Sequence, residues 1–175
     1  MHVVFSNDSG DERSESERGD PVFWVFVQLD LLGAVLFRNG HVASPAQFDT
    51  LEIMAEHRKN AALFVATLLH SATVTHLQHL QTKSYAAHKA LQKYYESIPD
   101  LVDNFAESYQ GEYGLITDYP SDRHNATDPK MYLDRLADFV SEIRTVLPKD
   151  TPLQNTVDEI MSLINSTRYK LKFLS

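Results

Sequence analysis

The stretch that decides the fold is QGEYGLITDYPSDRHNATDP, residues 110–129. It opens with a helix-stop signal, QGEYG, because glycine tolerates the backbone angles at which helices end. It closes with Asp128–Pro129, a typical helix start. The connection between the two signals has roughly fifteen residues, which is long for a link between packed helices. This length predicts a crossover from one end of a helical bundle to the other.

Two helices are predicted before the crossover. Helix A begins at SPAQ, where Ser44 is the N-cap, Pro45 takes the first helical position and Gln47 completes a capping box. It ends near Leu80. The turn QTKS then leads into helix B, predicted over about 85–109, with a kink at Pro99.

Two more helices are predicted after the crossover. Helix C covers about 129–147, and helix D follows the turn PKDTP with Thr151 as its cap and Pro152 first in the helix. Apolar residues at helical spacing predict one buried stripe for each helix. In chain order the stripes are Val65, Leu69, Ala72 and Leu80 with His76; Leu91, Tyr95, Ile98, Val102, Phe105 and Tyr109; Tyr132, Leu136, Phe139, Val140 and Ile143; and Val157, Ile160, Met161 and Ile164.

Short A–B and C–D turns with one long B–C crossover are the connectivity of ferritin-like four-helix bundles. We therefore predict an all-α bundle of this kind over residues 44–175, preceded by an N-terminal extension. Residues 1–20 are polar and acidic, which predicts a disordered tail. Residues 21–43 are an apolar segment without an assigned role. Its aromatic and β-branched start favours a strand over a short buried helix, and RNGHV at 38–42 marks a turn.

Composition narrows the classes of function. The chain of 175 residues has no cysteine, which removes disulfides, thiolate zinc sites and cysteine nucleophiles. Its net charge of −8 opposes generic binding to phosphate backbones, so no nucleic-acid partner is expected. The basic residues of RYKLKF, near the end of helix D, are explained by the helix dipole.

No membrane partner is expected either. The apolar run 22–37 is short and contains Gln28 and Asp30 in its middle, which argues against a membrane span. The first twenty residues hold six acids where a secretory signal needs a basic start. These features predict a cytoplasmic protein.

Four residues form a spaced quartet that suits a metal ion. His88 follows His76 by twelve residues, Asp103 follows fifteen later, and Glu107 comes four after that. Asp103 and Glu107 share one helix face because they are four apart. Imidazoles and carboxylates together suit Fe(II), Mn(II) or Zn(II) and leave coordination positions for water or an oxidant. Taken singly, each histidine is better explained as a satisfied polar group of the core.

One chain cannot close this site. His88 and Asp103 are both on helix B and lie about 22 Å apart along its axis, whereas metal–ligand bonds are only about 2.0–2.2 Å long. Two chains can close it if their B helices pair antiparallel about a twofold axis, which makes two identical sites. If the quartet binds metal, the protein is at least a dimer.

The stretch SYAAHKALQKYYESIPDLVDNFAESYQG, residues 84–111, resembles the Dps family, the mini-ferritins. It has that family's order of aromatic, histidine, helix, aspartate and Ala-Glu before a glycine, and it is most similar to ferritin-like proteins of tailed phages. The resemblance extends from about 63 to 111, the first two helices. It implies an intersubunit ferroxidase centre in which His76, His88, Asp103 and Glu107 hold iron and Fe(II) is oxidised by peroxide or dioxygen. It also implies a homo-oligomer, which is a dimer at minimum and for which a dodecamer is an option, in the host cytoplasm if phage-encoded.

Three further residues are candidates to support the ligands: His79, Gln92 and Tyr95. Gln92 stands where the family often has an aspartate, so a single-metal site fits as well. His79 is expected to be structural or solvent-facing, and Tyr95 is the aromatic to test for electron transfer. There is no basic N-terminal tail, so the family's DNA binding is not carried over. The alternative is a non-catalytic ferritin-like bundle, serving as a phage-encoded structural or interaction protein.

Overall fold

A computed structural model describes residues 3–5, 24–29, 33–38, 41–42, 45–121, 126 and 128–175. The first part is a four-stranded antiparallel sheet, in the order β1 (Val3–Phe5), β2 (Trp24–Leu29), β3 (Gly33–Arg38) and β4 (His41–Val42). Val27 of β2 opposes Val3 on one side and Val35 on the other. The chain divides into two compact units, Met1–Ile53 and Met54–Ser175.

This sheet adds strands to a chain predicted to be all-α. β2 and β3 lie in the apolar segment 21–43, where the sequence favoured a strand. Residues 39–40 of the turn predicted at RNGHV lie outside the described residues, and Arg38 and His41 on either side of them pair across β3 and β4. β1 lies within residues 1–20, for which a disordered tail was predicted, and the rest of that tail lies outside the described residues.

The four predicted helices are confirmed. They are α1 (Pro45–Gln81), α2 (Tyr85–Tyr113), α3 (Pro129–Ile143) and α4 (Thr151–Phe173). Ser44, the predicted cap of the first helix, lies outside the described residues. α2 continues through Pro99, and the kink there stays a prediction. Among the described helices, none has an apolar stretch of the length needed to cross a membrane.

Helix ends differ from the predicted ones by a few residues. α2 ends four residues later than expected, at Tyr113. Its C-cap is Gly114, whose φ of 87° suits glycine and whose N–H donates to the Gln110 carbonyl. α3 ends at Ile143 and not at Leu147. Thr151 is the first residue of α4 and not its cap. The cap position belongs to Asp150, whose carboxylate accepts a hydrogen bond from Tyr113.

Contacts between the helices define their directions. The rings of Phe64 and Phe105 meet edge to face with centroids 4.7 Å apart, and Ser71 Oγ lies 2.7 Å from the Tyr94 hydroxyl. Residues later in α1 therefore contact residues earlier in α2, so the two helices are antiparallel. The bond between Tyr113 and Asp150 likewise places the end of α2 beside the start of α4.

The other two helices complete the bundle. Gln78 Nε2 donates to the carbonyl of Ala126, which brings the end of α1 to the start of α3. Arg168 pairs with Asp134, which brings the end of α4 to the same place. α1 and α4 therefore run one way and α2 and α3 the other. The connection therefore leaves α2 at one end of the bundle and enters α3 at the other, as its length predicted.

The buried stripes of α2, α3 and α4 are largely as predicted, but that of α1 is not. Leu69, Leu80 and His76 are exposed. Val65 is buried as predicted, and Ala72 is half-buried. The buried residues of α1 are Ala61, Ala62, Phe64, Val65, Leu68, Ser71, Val74, Thr75, Gln78 and His79. Four of the last five are polar, so a search for apolar periodicity finds the wrong face of this half of the helix. On α2, Tyr94 is fully buried and its neighbour Tyr95 is only half-buried.

In the polar half of this core, buried hydroxyl groups donate hydrogen bonds to one another and to backbone carbonyls. Ser71 Oγ donates to the Leu68 carbonyl at 2.6 Å, so the Tyr94 hydroxyl donates to Ser71. Thr75 donates to the carbonyl of Ser71. Burial raises the pKa of Tyr94 well above its usual value of about 10 and also raises the pKa of Tyr132.

The buried phenols of Tyr94 and Tyr132 predict that the folded protein loses stability at alkaline pH. Tyr94 stays protonated in the folded state while it ionises in the unfolded chain, so the free energy of unfolding should fall as the pH rises above about 10. The expected slope from Tyr94 is about 1.4 kcal/mol per pH unit. Urea titrations at several pH values should show a smaller slope for Tyr94→Phe. Ser71→Ala removes the same hydrogen bond and keeps the phenol, so an equally reduced slope there would contradict this assignment.

Candidate metal centre

Three imidazoles and one phenol gather where α1 meets α2. The rings of His79 and His88 stack with centroids 3.7 Å apart, and the ring of His76 lies 5.8 Å from that of His79. Tyr95 stacks on His76 at 4.1 Å, with an interplanar angle of 14°. The short turn between α1 and α2 and their antiparallel packing bring these four side chains together.

Reciprocal hydrogen bonds hold His79 and His88 in place. Nδ1 of His79 lies 2.9 Å from the carbonyl oxygen of His88, and Nδ1 of His88 lies 3.3 Å from that of His79. Carbonyl oxygens only accept, so each bonded Nδ1 carries the proton. In the neutral form of each ring Nε2 then has a free lone pair, which is how histidine is usually prepared to bind a metal.

The burial of His76 and His79 differs from what the sequence predicted. His79 is 7% exposed and packs in the core, so the solvent-facing option for it is wrong and the structural one holds. His76, predicted on the buried stripe, is exposed. A search for apolar neighbours could not separate them, because the residues on the buried side of α1 at this level are Thr75 and Gln78.

The two carboxylates lie further along α2. Asp103 and Glu107 line an open groove of about 590 Å³ together with Leu69 of α1 and Tyr119 of the crossover. Both acids are exposed, and within the part of the chain that the structure describes neither has a hydrogen bond or an ion pair. The groove therefore presents two carboxylates that have no ion-pair partner among the described residues.

The bundle interior offers no acidic ligands. Across residues 46–121, 126 and 128–175 every aspartate and glutamate is exposed, and the buried polar residues are Ser71, Thr75, Gln78, His79 and Thr167. Among the described residues no group of three or more metal-binding side chains is arranged to hold a metal within one chain. Any site formed by the quartet must then lie on the surface and use a second chain.

Gln92 and Tyr95 lie on α2 beside the cluster of His76, His79 and His88. Gln92 accepts from Lys89 Nζ at 2.5 Å and donates to Glu96 at 2.8 Å, so it belongs to a polar chain on the surface of α2. Tyr95 contacts His76 face to face and His79 edge to face, which fixes the ring of His76. Tyr95 therefore contacts a histidine that it was expected to support, and Gln92 lies one helical turn from His88.

The geometry defines a class of protein: a four-helix bundle with one long crossover between its second and third helices. The surface formed by α1 and α2 carries His76 and His88 near one end of the bundle and Asp103 and Glu107 further along α2. Over residues 79–171, the chain matches a family model described as "Family of unknown function (DUF5856)", and it belongs to that family. The match includes α2, α3 and most of α4.

The chain is also related to a phage protein. It is 31% identical over 110 residues to an uncharacterized 14.6 kDa protein from the mobD–ri intergenic region of Enterobacteria phage T4, a match covering 62% of this chain and 84% of the phage protein. No solved structure matches the chain. Neither description names an activity.

Proposed function

We propose that this protein is a ferritin-like bundle that binds a divalent metal, with iron the first candidate, between two antiparallel copies. His76 and His88 of one copy and Asp103 and Glu107 of the other would be the ligands. The observation that carries the proposal is the division of the quartet on one exposed surface. The two histidines and the two acids are about 22 Å apart on one chain, so a second copy is needed to bring the four side chains together.

The charges of α2 support this pairing. Its N-terminal part carries Lys89, Lys93 and Glu96, and its C-terminal part carries Asp100, Asp103, Glu107 and Glu112. A twofold axis near residues 96–97 would place His88 opposite the turn between Asp103 and Glu107. The same axis would place Lys93 opposite Asp100. Electrostatic complementarity of this kind sets the register and orientation of an interface.

The donor set fits the proposed chemistry. Two imidazoles and two carboxylates suit Fe(II), Mn(II) or Zn(II) and leave positions open for water or an oxidant. When Fe(II) is the substrate, peroxide or dioxygen would be the electron acceptor. Gln92 is engaged with Lys89 and Glu96, which supports one metal per site.

Metal content tests the proposal directly. Protein purified without chelator should contain a fixed number of metal ions per chain. It should elute as a dimer or a larger oligomer on size-exclusion chromatography with light scattering. Asp103→Ala and His88→Ala should each lower the bound metal at least about tenfold, because each substitution removes one of the four proposed metal–ligand bonds. Elemental analysis and Fe(II) titration measure both quantities.

A matched control comes from the same helix. Glu112 is an exposed acid of α2 outside the quartet, so Glu112→Ala should keep the metal of the wild type. The proposal is contradicted if the wild-type protein is strictly monomeric, or if it binds neither Fe(II) nor Zn(II).

A second candidate is a non-catalytic bundle that acts by binding another macromolecule. The observation that favours it is the set of large apolar side chains left exposed at one end of the bundle, including Leu80, Tyr85 and Phe173. This candidate predicts a metal-free protein whose binding depends on those side chains.

A further inference from the structure

The bundle is strongly polarised in charge. The end at which α1 and α4 finish and α2 and α3 begin comprises residues 66–98, 126, 128–136 and 161–175, and we call it the basic end. It carries eight basic and three acidic residues. The opposite end, residues 54–65, 99–121 and 137–160, carries four basic and eleven acidic residues. The basic end is therefore a positively charged surface, although the whole chain has a net charge of −8.

The basic end also exposes an aromatic pair on α4. Thr167 and Leu171 are buried and fix the orientation of the last turns of the helix. Tyr169 and Phe173 lie on the opposite side of the helix, 55% and 64% exposed, with ring centroids 5.4 Å apart. Lys172 Nζ lies 5.3 Å from the centre of the Phe173 ring. The core of the bundle does not use these rings.

More apolar side chains are exposed at the same end. The contact between Arg168 and Asp134 places the last turns of α4 beside the first turns of α3, and Gln78 joins that level to the end of α1. Eight large apolar residues of the basic end are exposed: Leu69, Leu77, Leu80, Tyr85, Met131, Tyr169, Phe173 and Leu174. Isolated exposed residues are ordinary, but a group next to a basic surface indicates an interaction site.

We infer that the basic end binds the surface of an anionic lipid bilayer, with Tyr169, Phe173 and Leu174 inserted at the level of the headgroups and Lys170 and Lys172 contacting lipid phosphates. Aromatic rings and lysines with apolar stems are the side chains that suit this boundary. Lysines near an anionic leaflet add attraction, and the apolar side chains supply the second signal that stable binding needs. This inference does not depend on the metal site.

The composition of the surface favours lipid over nucleic acid or an acidic protein. Six of the eight basic residues are lysines, whereas planar recognition of phosphate or carboxylate favours arginine. Arg168 is engaged with Asp134 and Asn165. Leucines at positions 77, 80 and 174 have nothing to bind on a phosphate backbone, but they gain free energy on entering a bilayer interface.

Vesicle flotation tests the inference with the full chain. The protein should bind vesicles of equimolar phosphatidylcholine and phosphatidylglycerol, and it should bind pure phosphatidylcholine vesicles far less. The Lys170→Glu/Lys172→Glu variant and the Tyr169→Ser/Phe173→Ser variant should each lose affinity for the anionic vesicles at least about tenfold. Added salt should weaken binding because it screens the charge attraction.

Two variants at the acidic end serve as matched controls. Lys59→Glu reverses an exposed charge and Val146→Ser removes an exposed apolar side chain, and both should bind vesicles as the wild type does. Circular dichroism checks that every variant is folded. The inference is overturned if anionic vesicles are not bound, if the α4 variants bind equally well, or if only an oligonucleotide or an acidic protein is bound at the same salt concentration.

Discussion

Co-expression of His76→Ala/His88→Ala with Asp103→Ala/Glu107→Ala should restore about a quarter of the wild-type metal content, although neither variant alone should bind metal. In a dimer with one subunit of each kind, one site lacks all four ligands and the other has all four. Random assembly makes about half of the dimers mixed, and each of these has one of its two sites intact.

Two different affinity tags make this experiment quantitative. Purification through both tags isolates the mixed dimers, which should contain about half of the metal of doubly tagged wild type. Wild-type subunits carrying the same two tags are the control for assembly. Recovery of mixed dimers without metal would refute an intersubunit site, even if the single variants had already lost their metal.

Phe105→Ala should lower the free energy of unfolding by about 3–5 kcal/mol. Phe105 is fully buried in the middle of the bundle, edge to face with Phe64 of α1 and 6.3 Å from the ring of Tyr109. Truncation removes the apolar contacts that join α1 to α2 and leaves a cavity that the surrounding rings cannot fill completely. For a small domain this is a large part of the total stability.

Urea denaturation followed by circular dichroism at 222 nm measures the loss. Phe173→Ala removes the same side chain from an exposed position and should change the stability by less than about 0.5 kcal/mol. Phe105→Leu keeps most of the volume and should cost about 1.5 kcal/mol or less. A cost below about 1 kcal/mol for Phe105→Ala would mean that the α1–α2 contact does not stabilise the bundle.

Local chemistry explains why the sequence predicted the helices so well. Pro45, Asp128 and Pro129 mark helix starts, and Gly114 marks a helix end, because each acts through the backbone angles and hydrogen bonds of its own position. The apolar residues of α2, α3 and α4 recur at helical spacing and predict most of their buried faces.

The buried face of α1 could not be predicted in the same way. Ser71, Thr75 and Gln78 are polar by composition and are nevertheless buried. Thr75 donates within its own helix, but two of the bonds come from other elements: Tyr94 bonds to Ser71, and the Ala126 carbonyl accepts from Gln78. These partners lie 23 and 48 residues away in sequence. Leu69 and Leu80 looked like core residues and are exposed, since apolar character alone does not decide which face of a helix is buried.

The sequence by itself determined four helices, the long crossover and the separation of His88 from Asp103. These follow from local backbone preferences and from the fixed rise of a helix. Only the tertiary structure decided that His79 and not His76 is buried against His88, that every described acid of the bundle lies outside its core, and that the basic residues collect at one end. The physical reason is that burial and charge clustering depend on which helices meet and in which direction, and those contacts join residues far apart in the chain.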